Sequence, residues 1–75
     1  MKAYVLINAR AGKSRDVVNN VKQVKGVKSA YACWGRPDVF VLVDVGNEKA
    51  LAETVLNKIQ AIDGIESTDT HIVIE

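Results

Sequence analysis

The chain has 75 residues and carries ten Lys and Arg side chains against nine Asp and Glu, which gives a net charge of +1. A chain with so little net charge is not a polycation that binds nucleic acid or anionic membranes by general attraction. This length predicts one small domain, which buries only about 60% of the surface that its unfolded chain exposes. Cys33 is the only cysteine and there is one histidine, so no intrachain disulfide and no zinc-ligand spacing exist, and we expect no metal or cofactor. A partner is then the remaining way to complete the small core.

Six segments of regular structure are predicted, in the order βαββαβ. The strands are rich in β-branched residues or alternate apolar with polar positions, and the helices repeat apolar residues at helical intervals. Ser14 and Asn47 are the expected N-caps. The predicted strands are 2–9, 27–34, 38–45 and 67–75, and the predicted helices are 14–24 and 47–62. Neither a signal peptide nor an apolar run of ~18 residues is present, which predicts a cytoplasmic protein without a membrane partner.

The two halves of the chain repeat each other at a shift of 38 positions. This shift takes Val17 to Val55 and Gly26 to Gly64, so each half is a βαβ unit whose helix leaves through a glycine. Two interleaved right-handed βαβ units predict an α+β, ferredoxin-like sandwich with one antiparallel four-stranded sheet. The first and third strands are the most apolar, so we expect them at the centre of the sheet, with both helices on one face.

Alternation along the two central strands separates two faces of the sheet. Compact residues share the face that we assign to the helices: Ala3, Val5, Ile7, Val39, Val41, Val43 and Val45. Large apolar residues share the opposite face, where nothing of the same chain remains to cover them: Tyr4, Leu6, Phe40 and Leu42. Soluble monomers avoid such patches, and burying one is worth ~25 cal/mol per Å². We therefore predict a homodimer formed through the open faces of two sheets.

Three other functions have weaker support. Segment 9–16 resembles a phosphate loop but lacks the first glycine of that motif, so a simple turn is the better interpretation. Tyr4 and Phe40 could stack RNA bases on this fold, although the sequence lacks the accompanying basic and glycine-rich pattern. Cys33 and His71 belong to strands that we place at opposite edges, so no nucleophile–base pair is expected and we predict that the protein is not an enzyme.

Two polar clusters contain the candidate binding residues. The first is the hairpin 34–38 and the second is 67–70. Gly and Pro commonly make turns, and hydroxyls commonly bond nearby backbone, so a purely structural role is one interpretation of both clusters. The other is recognition of a small zwitterion, since a carboxylate binds an ammonium group while hydroxyls and N–H groups bind a carboxylate.

At these clusters the chain resembles the effector domain of leucine-responsive/asparagine (Lrp/AsnC) regulators, also called the domain for regulation of amino-acid metabolism (RAM). That family reads Gly-x-Tyr-Asp at the hairpin, which Gly35 and Asp38 match. It reads Gly-Val-x-x-Thr-x-Thr near the end, which is matched by Gly64, Ile65, Thr68 and Thr70. The resemblance covers essentially all 75 residues, and the two motifs together are more specific than either alone.

The resemblance implies both an assembly and a ligand. Domains of this family dimerise through their sheets, assemble further into octamer-like rings, and bind amino acids or related effectors between dimers. Carried over to this chain, Gly35 gives backbone access to the ligand, Asp38 engages its ammonium group, and Thr68 and Thr70 hold its polar end. The implied role is regulation of transcription in amino-acid metabolism, including co-assembly with full-length regulators, without direct contact to nucleic acid.

The chain differs from the family pattern in three ways, and these differences leave an alternative to ligand binding. Trp34 stands where the family usually has a small residue, and Pro37 replaces the tyrosine. Trp34 either forms a wall of the pocket or fills it; in the second case the protein is a structural assembly protein that modulates full-length regulators by co-assembly. These residues also contain no counterpart of the family's helix-turn-helix, so we expect 1–75 to be a single, stand-alone effector domain.

Overall fold

The computed structural model describes every residue from Met1 to Glu75 and contains four strands and two helices in the predicted order. The strands are β1 (Lys2–Ala9), β2 (Val27–Ala32), β3 (Val39–Asp44) and β4 (Ile65–Ile72). The helices are α1 (Ser14–Val21) and α2, which is α-helical over Glu48–Ala52 and π-helical over Glu53–Ile59. None of these helices is long and apolar enough to span a membrane.

The four strands form one antiparallel sheet in the order β2-β3-β1-β4. The two most apolar strands, β1 and β3, lie at its centre, and β2 and β4 are its edges. The register of the central pair places Tyr4 opposite Leu42 and Leu6 opposite Phe40. Both helices contribute to one core on the same side of this sheet, so the predicted ferredoxin-like fold is confirmed.

The core lies between the sheet and the helices and consists mainly of short, β-branched side chains. The sheet residues that we assigned to this side are fully buried: Ala3, Val5, Ile7, Val39, Val41 and Val43. Val45 is partly buried at the edge of the same cluster. α1 adds Val17 and Val21, and α2 adds Val55 and Ile59. Compact side chains on the sheet allow both helices to pack close to it.

The two helices begin in different ways. Asn47 has extended backbone, and its side-chain Oδ1 accepts a hydrogen bond from Ala50 N–H at 2.8 Å, so the predicted cap of α2 is present. The predicted cap of α1 is wrong, because Ser14 is already helical and Lys13 precedes it without a side-chain cap bond. A tight turn, closed by Lys13 N–H donating to Arg10 O at 2.9 Å, runs directly into α1 and leaves no extended residue to act as a cap.

Strand boundaries also differ from the prediction, by one residue at each end of β3 and by more at β2 and β4. β2 ends at Ala32 rather than at position 34, because the chain turns through Gly35. β4 covers 65–72 rather than 67–75. It starts earlier because Gly64, at a φ of +97°, turns the chain directly into the strand while its carbonyl accepts Arg10 N–H at 2.7 Å. It ends where its partner β1 begins, since Val73 N–H donates to Lys2 O at 2.9 Å and no further β1 residue remains to pair.

The face of the sheet opposite the helices is open to solvent. Tyr4 and Phe40 are 49% and 39% exposed, while Leu6 and Leu42 are half-buried between their neighbours. Tyr31 on β2 lies opposite Phe40 and is 66% exposed, so it enlarges the patch beyond the four predicted residues. We call these five side chains the open face. A contiguous aromatic and aliphatic patch of this kind is typical of an interaction surface.

Candidate functional site

The hairpin between β2 and β3 holds three of the five candidate binding residues. Gly35 has a φ of +108°, a backbone region that favours glycine. A Cβ at this position would meet no atom within 4 Å, so backbone conformation rather than space selects glycine. The side chain of Trp34 is fully exposed, at 104%. Within a single chain, Trp34 therefore neither walls nor fills a cavity.

The hairpin is fixed to the end of β1 through both polar groups of one backbone residue, Ala9. Asp38 Oδ1 accepts a hydrogen bond from Ala9 N–H at 2.9 Å, and Arg36 Nη1 donates to Ala9 O at 2.8 Å. The register between β1 and β4 shifts at Asn8 and Ala9, and such an irregularity leaves backbone groups that need other partners. We call this arrangement of Arg36, Asp38 and Ala9 the Ala9 clamp.

Arg36 extends the clamp across β1 to the edge strand. Its Nη2 donates to Glu66 Oε1 at 2.9 Å, and both side chains are more than half exposed. An exposed pair of this kind contributes only about 0.2–1 kcal/mol to folding. The pair matters mainly for geometry, because one guanidinium links the hairpin, β1 and β4 at the same end of the sheet.

The two threonines lie on β4, on the side of the sheet that faces the helices. Thr68 pairs with Ile7 and Thr70 with Val5, and directly opposite residues of an antiparallel pair share a face. Thr68 Oγ1 accepts a hydrogen bond from Gln60 Nε2 at 2.8 Å, at the end of α2. Thr68 also lines a shallow cavity of about 280 Å³, whereas Thr70 is exposed.

One chain brings the candidate residues to neighbouring strands but not into one cavity. Asp38 precedes β3, Thr68 lies on β4, and β1 lies between these two strands. Thr70 lies two residues further along β4, about 7 Å beyond Thr68. The cavity beside Thr68 contains neither Trp34 nor Asp38. The single chain therefore presents an open half-site rather than a closed pocket.

The basic segment after β1 is partly neutralised by an ion pair. Arg10 Nη2 donates to Asp63 Oδ1 at 2.9 Å. This hydrogen bond and the positive charge of Arg10 lower the pKa of Asp63 below its ordinary value of 3.8, and the charge of Lys13 acts in the same direction. Arg10 is thus committed within the chain, which weakens segment 9–16 as a site for anions.

The residues considered for catalysis are separated as expected. Cys33 follows β2 at one edge of the sheet, and His71 lies on β4 at the other edge. The Nε2 atom of His71 lies 3.0 Å from Asp69 Oδ2, and no nucleophilic side chain joins this pair. The geometry gives no nucleophile–base arrangement.

Comparison with known proteins identifies the domain. The family model described as the Lrp/AsnC ligand binding domain matches residues 2–75. The chain belongs to the Lrp/AsnC family. This Lrp/AsnC domain is 32% identical over 75 residues to the HTH-type transcriptional regulator FL11 of Pyrococcus abyssi, covering all of this chain and 49% of that relative. It spans about half the length of the curated relatives that it matches, which are HTH-type transcriptional regulators.

Solved structures agree with this assignment. FFRP-DM1 is 33% identical, with a TM-score of 0.91 and coverage of 97% of each chain. AsnC of E. coli is 28% identical, with a TM-score of 0.90, and matches 99% of this Lrp/AsnC domain but 50% of its own chain. The regulator NMB0573 of Neisseria meningitidis, solved as a complex with L-Met, shares the fold at 20% identity and a TM-score of 0.84.

Sequence reasoning missed three contributors to the site: Arg36, Glu66 and the backbone of Ala9. Arg36 was visible within the hairpin, between the two motif residues Gly35 and Asp38, but its partner Glu66 is 30 positions away. No local pattern predicts such a pair. The register shift in β1 that leaves Ala9 available to the clamp is equally a product of the folded sheet.

Proposed function

We propose that this chain is the sensing domain of a regulatory system, which binds an amino acid or a related small zwitterion between copies of itself. In this proposal, the ligand changes the population of assemblies because it binds one assembly more tightly than another. Membership of a family of ligand-binding domains supports it. The L-Met complex of the Neisseria regulator supports the choice of an amino acid.

The free polar groups at the half-site suit a zwitterion. Asp38 uses Oδ1 for Ala9 N–H, while its second carboxylate oxygen has no partner in the chain and can accept from an ammonium group. Thr68 accepts from Gln60, so its own hydroxyl proton remains available to a carboxylate. Thr70 is exposed with its hydroxyl unpaired. An acceptor at the hairpin and two donors on β4 are thus available.

The observation that carries the proposal is that the cavity beside Thr68 does not include Asp38. An α-amino acid bears its ammonium and carboxylate groups on the same carbon, whereas Asp38 lies in the hairpin before β3 and Thr68 lies on β4, in a cavity of which Asp38 is not part. A single chain thus offers no closed pocket that contains both groups. We therefore place the complete site at a boundary where the hairpin of one copy meets the β4 threonines of another.

Assembly through the open face supplies the first level of this arrangement. Aromatic side chains expose roughly 200 Å² each when free, so the exposed fractions of Tyr4, Tyr31 and Phe40 amount to about 300 Å² per subunit. Covering this area on two subunits is worth about 15 kcal/mol, against an association cost of about 4–15 kcal/mol. The remaining free energy lies between about zero and about 11 kcal/mol, and at the lower end of this range a ligand can shift the assembly.

Calorimetric titration with a panel of the standard amino acids tests the proposal, with light scattering to follow particle mass. We expect one or a few amino acids to bind and to change the mass distribution. Asp38→Asn, which retains an acceptor for Ala9 N–H but loses the charge, should abolish binding, whereas Asp16→Asn on exposed α1 should not. Binding that survives Asp38→Asn unchanged would refute the assigned role of this carboxylate.

Full exposure of Trp34 favours one specific alternative, a structural assembly protein whose ligand site is occupied by Trp34 of a neighbouring copy. The variant Trp34→Thr restores the small residue usual in the family and distinguishes the two. In the sensing proposal it changes ligand preference or affinity. In the structural alternative the native protein binds no amino acid, and only Trp34→Thr does.

We further propose that the open face allows mixed assemblies with longer regulators of the same family. The curated relatives match this chain over about half of their own length, so they contain a similar domain. Mixing purified chain with such a regulator from the same organism and resolving the complexes by native mass spectrometry tests this step. Complete segregation of the two proteins would contradict it.

A further inference from the structure

The largest cavity of the domain is far from the hairpin, at the opposite end of the sheet. It has a volume of about 460 Å³ and lies where the turn before β2, the end of β3 and α2 meet. None of the five candidate binding residues lines it. The side chains that matter for its chemistry are Lys25, Lys28, Lys58, Thr54, Glu53 and Asp44.

Lysines outnumber carboxylates around this cavity. Three lysines line it, and none of them forms a salt bridge within the chain. Two carboxylates, Asp44 and Glu53, also line it, so the ammonium groups exceed the carboxylates by one. Unpaired lysines converging on a concave surface attract a small anion, and the attraction extends over about 8 Å at physiological ionic strength.

Thr54 brings a hydroxyl to the wall of the cavity. It is the one residue with a polar side chain in the buried set, at 5% exposure, and it lines the cavity. Its hydroxyl takes part in no side-chain hydrogen bond within the chain. No fully enclosed side-chain oxygen or nitrogen of the chain lacks a hydrogen-bond partner, so this hydroxyl is accessible at the cavity, where it can donate to an anion.

The backbone beside Thr54 is also unusual. α2 changes from α-helical to π-helical geometry at Glu53, and Gln60 N–H donates to Val55 O, five residues back, at 3.0 Å. π-helical segments are rare and occur frequently at functional sites. Thr54 and Lys58 are four residues apart on this segment, both beside the cavity. The segment thus presents a hydroxyl and an ammonium group to the same space.

The internal repeat supplies a comparison within the same chain. The shift of 38 positions relates Lys25 to Asp63 and Glu48 to Arg10. Arg10 and Asp63 close an ion pair at 2.9 Å, whereas the corresponding residues Glu48 and Lys25 form none. The ion pair that closes one half of the repeat is therefore absent beside the cavity, which leaves Lys25 available to another anion.

We infer that this cavity is a second binding site, specific for a small organic anion that carries a phosphate or carboxylate group. Lys25, Lys28 and Lys58 supply the charge, and the Thr54 hydroxyl donates a hydrogen bond to an anion oxygen. The site is separate from the proposed amino-acid site, with which it shares no residue.

Titration of ¹⁵N-labelled protein with inorganic phosphate and, separately, with succinate tests the inference at constant ionic strength. The amides of Gly26, Gly46 and Thr54 should shift in a saturable manner, and the tighter ligand of the two identifies the preferred anion. The double variant Lys25→Gln/Lys28→Gln should weaken binding about tenfold. Shifts that stay linear in anion concentration, or that are equally large all over the surface, would overturn the inference.

Two further variants separate a built site from general attraction of anions. Lys22→Gln/Lys49→Gln removes the same charge from exposed positions outside the cavity, and we expect less than about a twofold change. Thr54→Val keeps the side-chain volume and should weaken binding by about fivefold. An equal loss in both double variants, or full affinity in a folded Thr54→Val, refutes the site. Asp38→Asn should leave phosphate and succinate binding unchanged. Failure of the amino-acid proposal can therefore be distinguished from failure of this anion site.

Discussion

Replacement of Phe40 by lysine tests whether the open face is the assembly surface. Phe40 is 39% exposed at the centre of the open face, opposite Leu6 and Tyr31, so about 80 Å² of its side chain is left to be covered by a partner. Losing this area costs about 2 kcal/mol per subunit and about 4 kcal/mol per dimer, which raises the dimer dissociation constant by about a thousandfold. Desolvation of the lysine ammonium would add to this effect.

The fold itself should tolerate this replacement. The methylene groups of lysine can lie along Leu6 while the ammonium group remains in water. Sedimentation equilibrium gives the dissociation constant, and urea unfolding gives the stability of the subunit. Leu56→Lys is the matched control, because Leu56 is an apolar residue, 59% exposed, on the helical layer. A Phe40→Lys protein that dimerises as tightly as Leu56→Lys would refute assembly through the open face.

Three further predictions concern folding. Asn47→Ala removes the cap on Ala50 N–H and should lower the free energy of unfolding by about 1 kcal/mol, measured by urea denaturation. As the pH falls from about 6 to about 2.5, the free energy of unfolding of Asp63→Asn should decrease less than that of the native protein. The folded pKa of Asp63 is depressed by Arg10, so its stabilisation is present above the unfolded value and is lost as pH falls through the folded value; equal acid sensitivity would contradict this. Gly64→Ala should destabilise more than Gly12→Ala. Both glycines have positive φ, but only a Cβ at Gly64 would approach side chains at 3.0 and 3.1 Å; equal melting temperatures would exclude the contact effect.

The faces of the sheet were predictable because alternation along a strand is a local property. The valines of β3 alternate with Phe40 and Leu42, and a one-residue error would have placed every one of them on the wrong side. The repeat at 38 positions was equally informative, since Gly26 and Gly64 adopt nearly the same φ, +99° and +97°, at corresponding turns. Local periodicity and local turn chemistry thus fixed the architecture.

The candidate site was only partly predictable, because it depends on pairs that are distant in sequence. Gly35 and Asp38 could be selected from the hairpin, but the Ala9 clamp requires β1 to lie beside it with a shifted register. The serine at position 14 failed as a cap for a related reason: the backbone of the preceding turn, rather than the hydroxyl, decides where α1 begins. The π-helical segment has no sequence pattern that distinguishes it from an ordinary helix.

The pairing of β1 with β4 has a practical consequence for redesign of the chain. Ala3 lies opposite Ile72, so residues 1 and 75 approach each other at one corner of the sheet, away from the β2–β3 hairpin. A short linker between them, combined with new ends opened beside Trp34, would give a circular permutant with every strand intact. In the permutant, Arg36 and Asp38 can still bond to Ala9, although their segment is no longer covalently connected to β2. Ligand binding by the permutant would therefore show whether the β2–β3 hairpin must be covalently connected to both strands in order to bind the ligand.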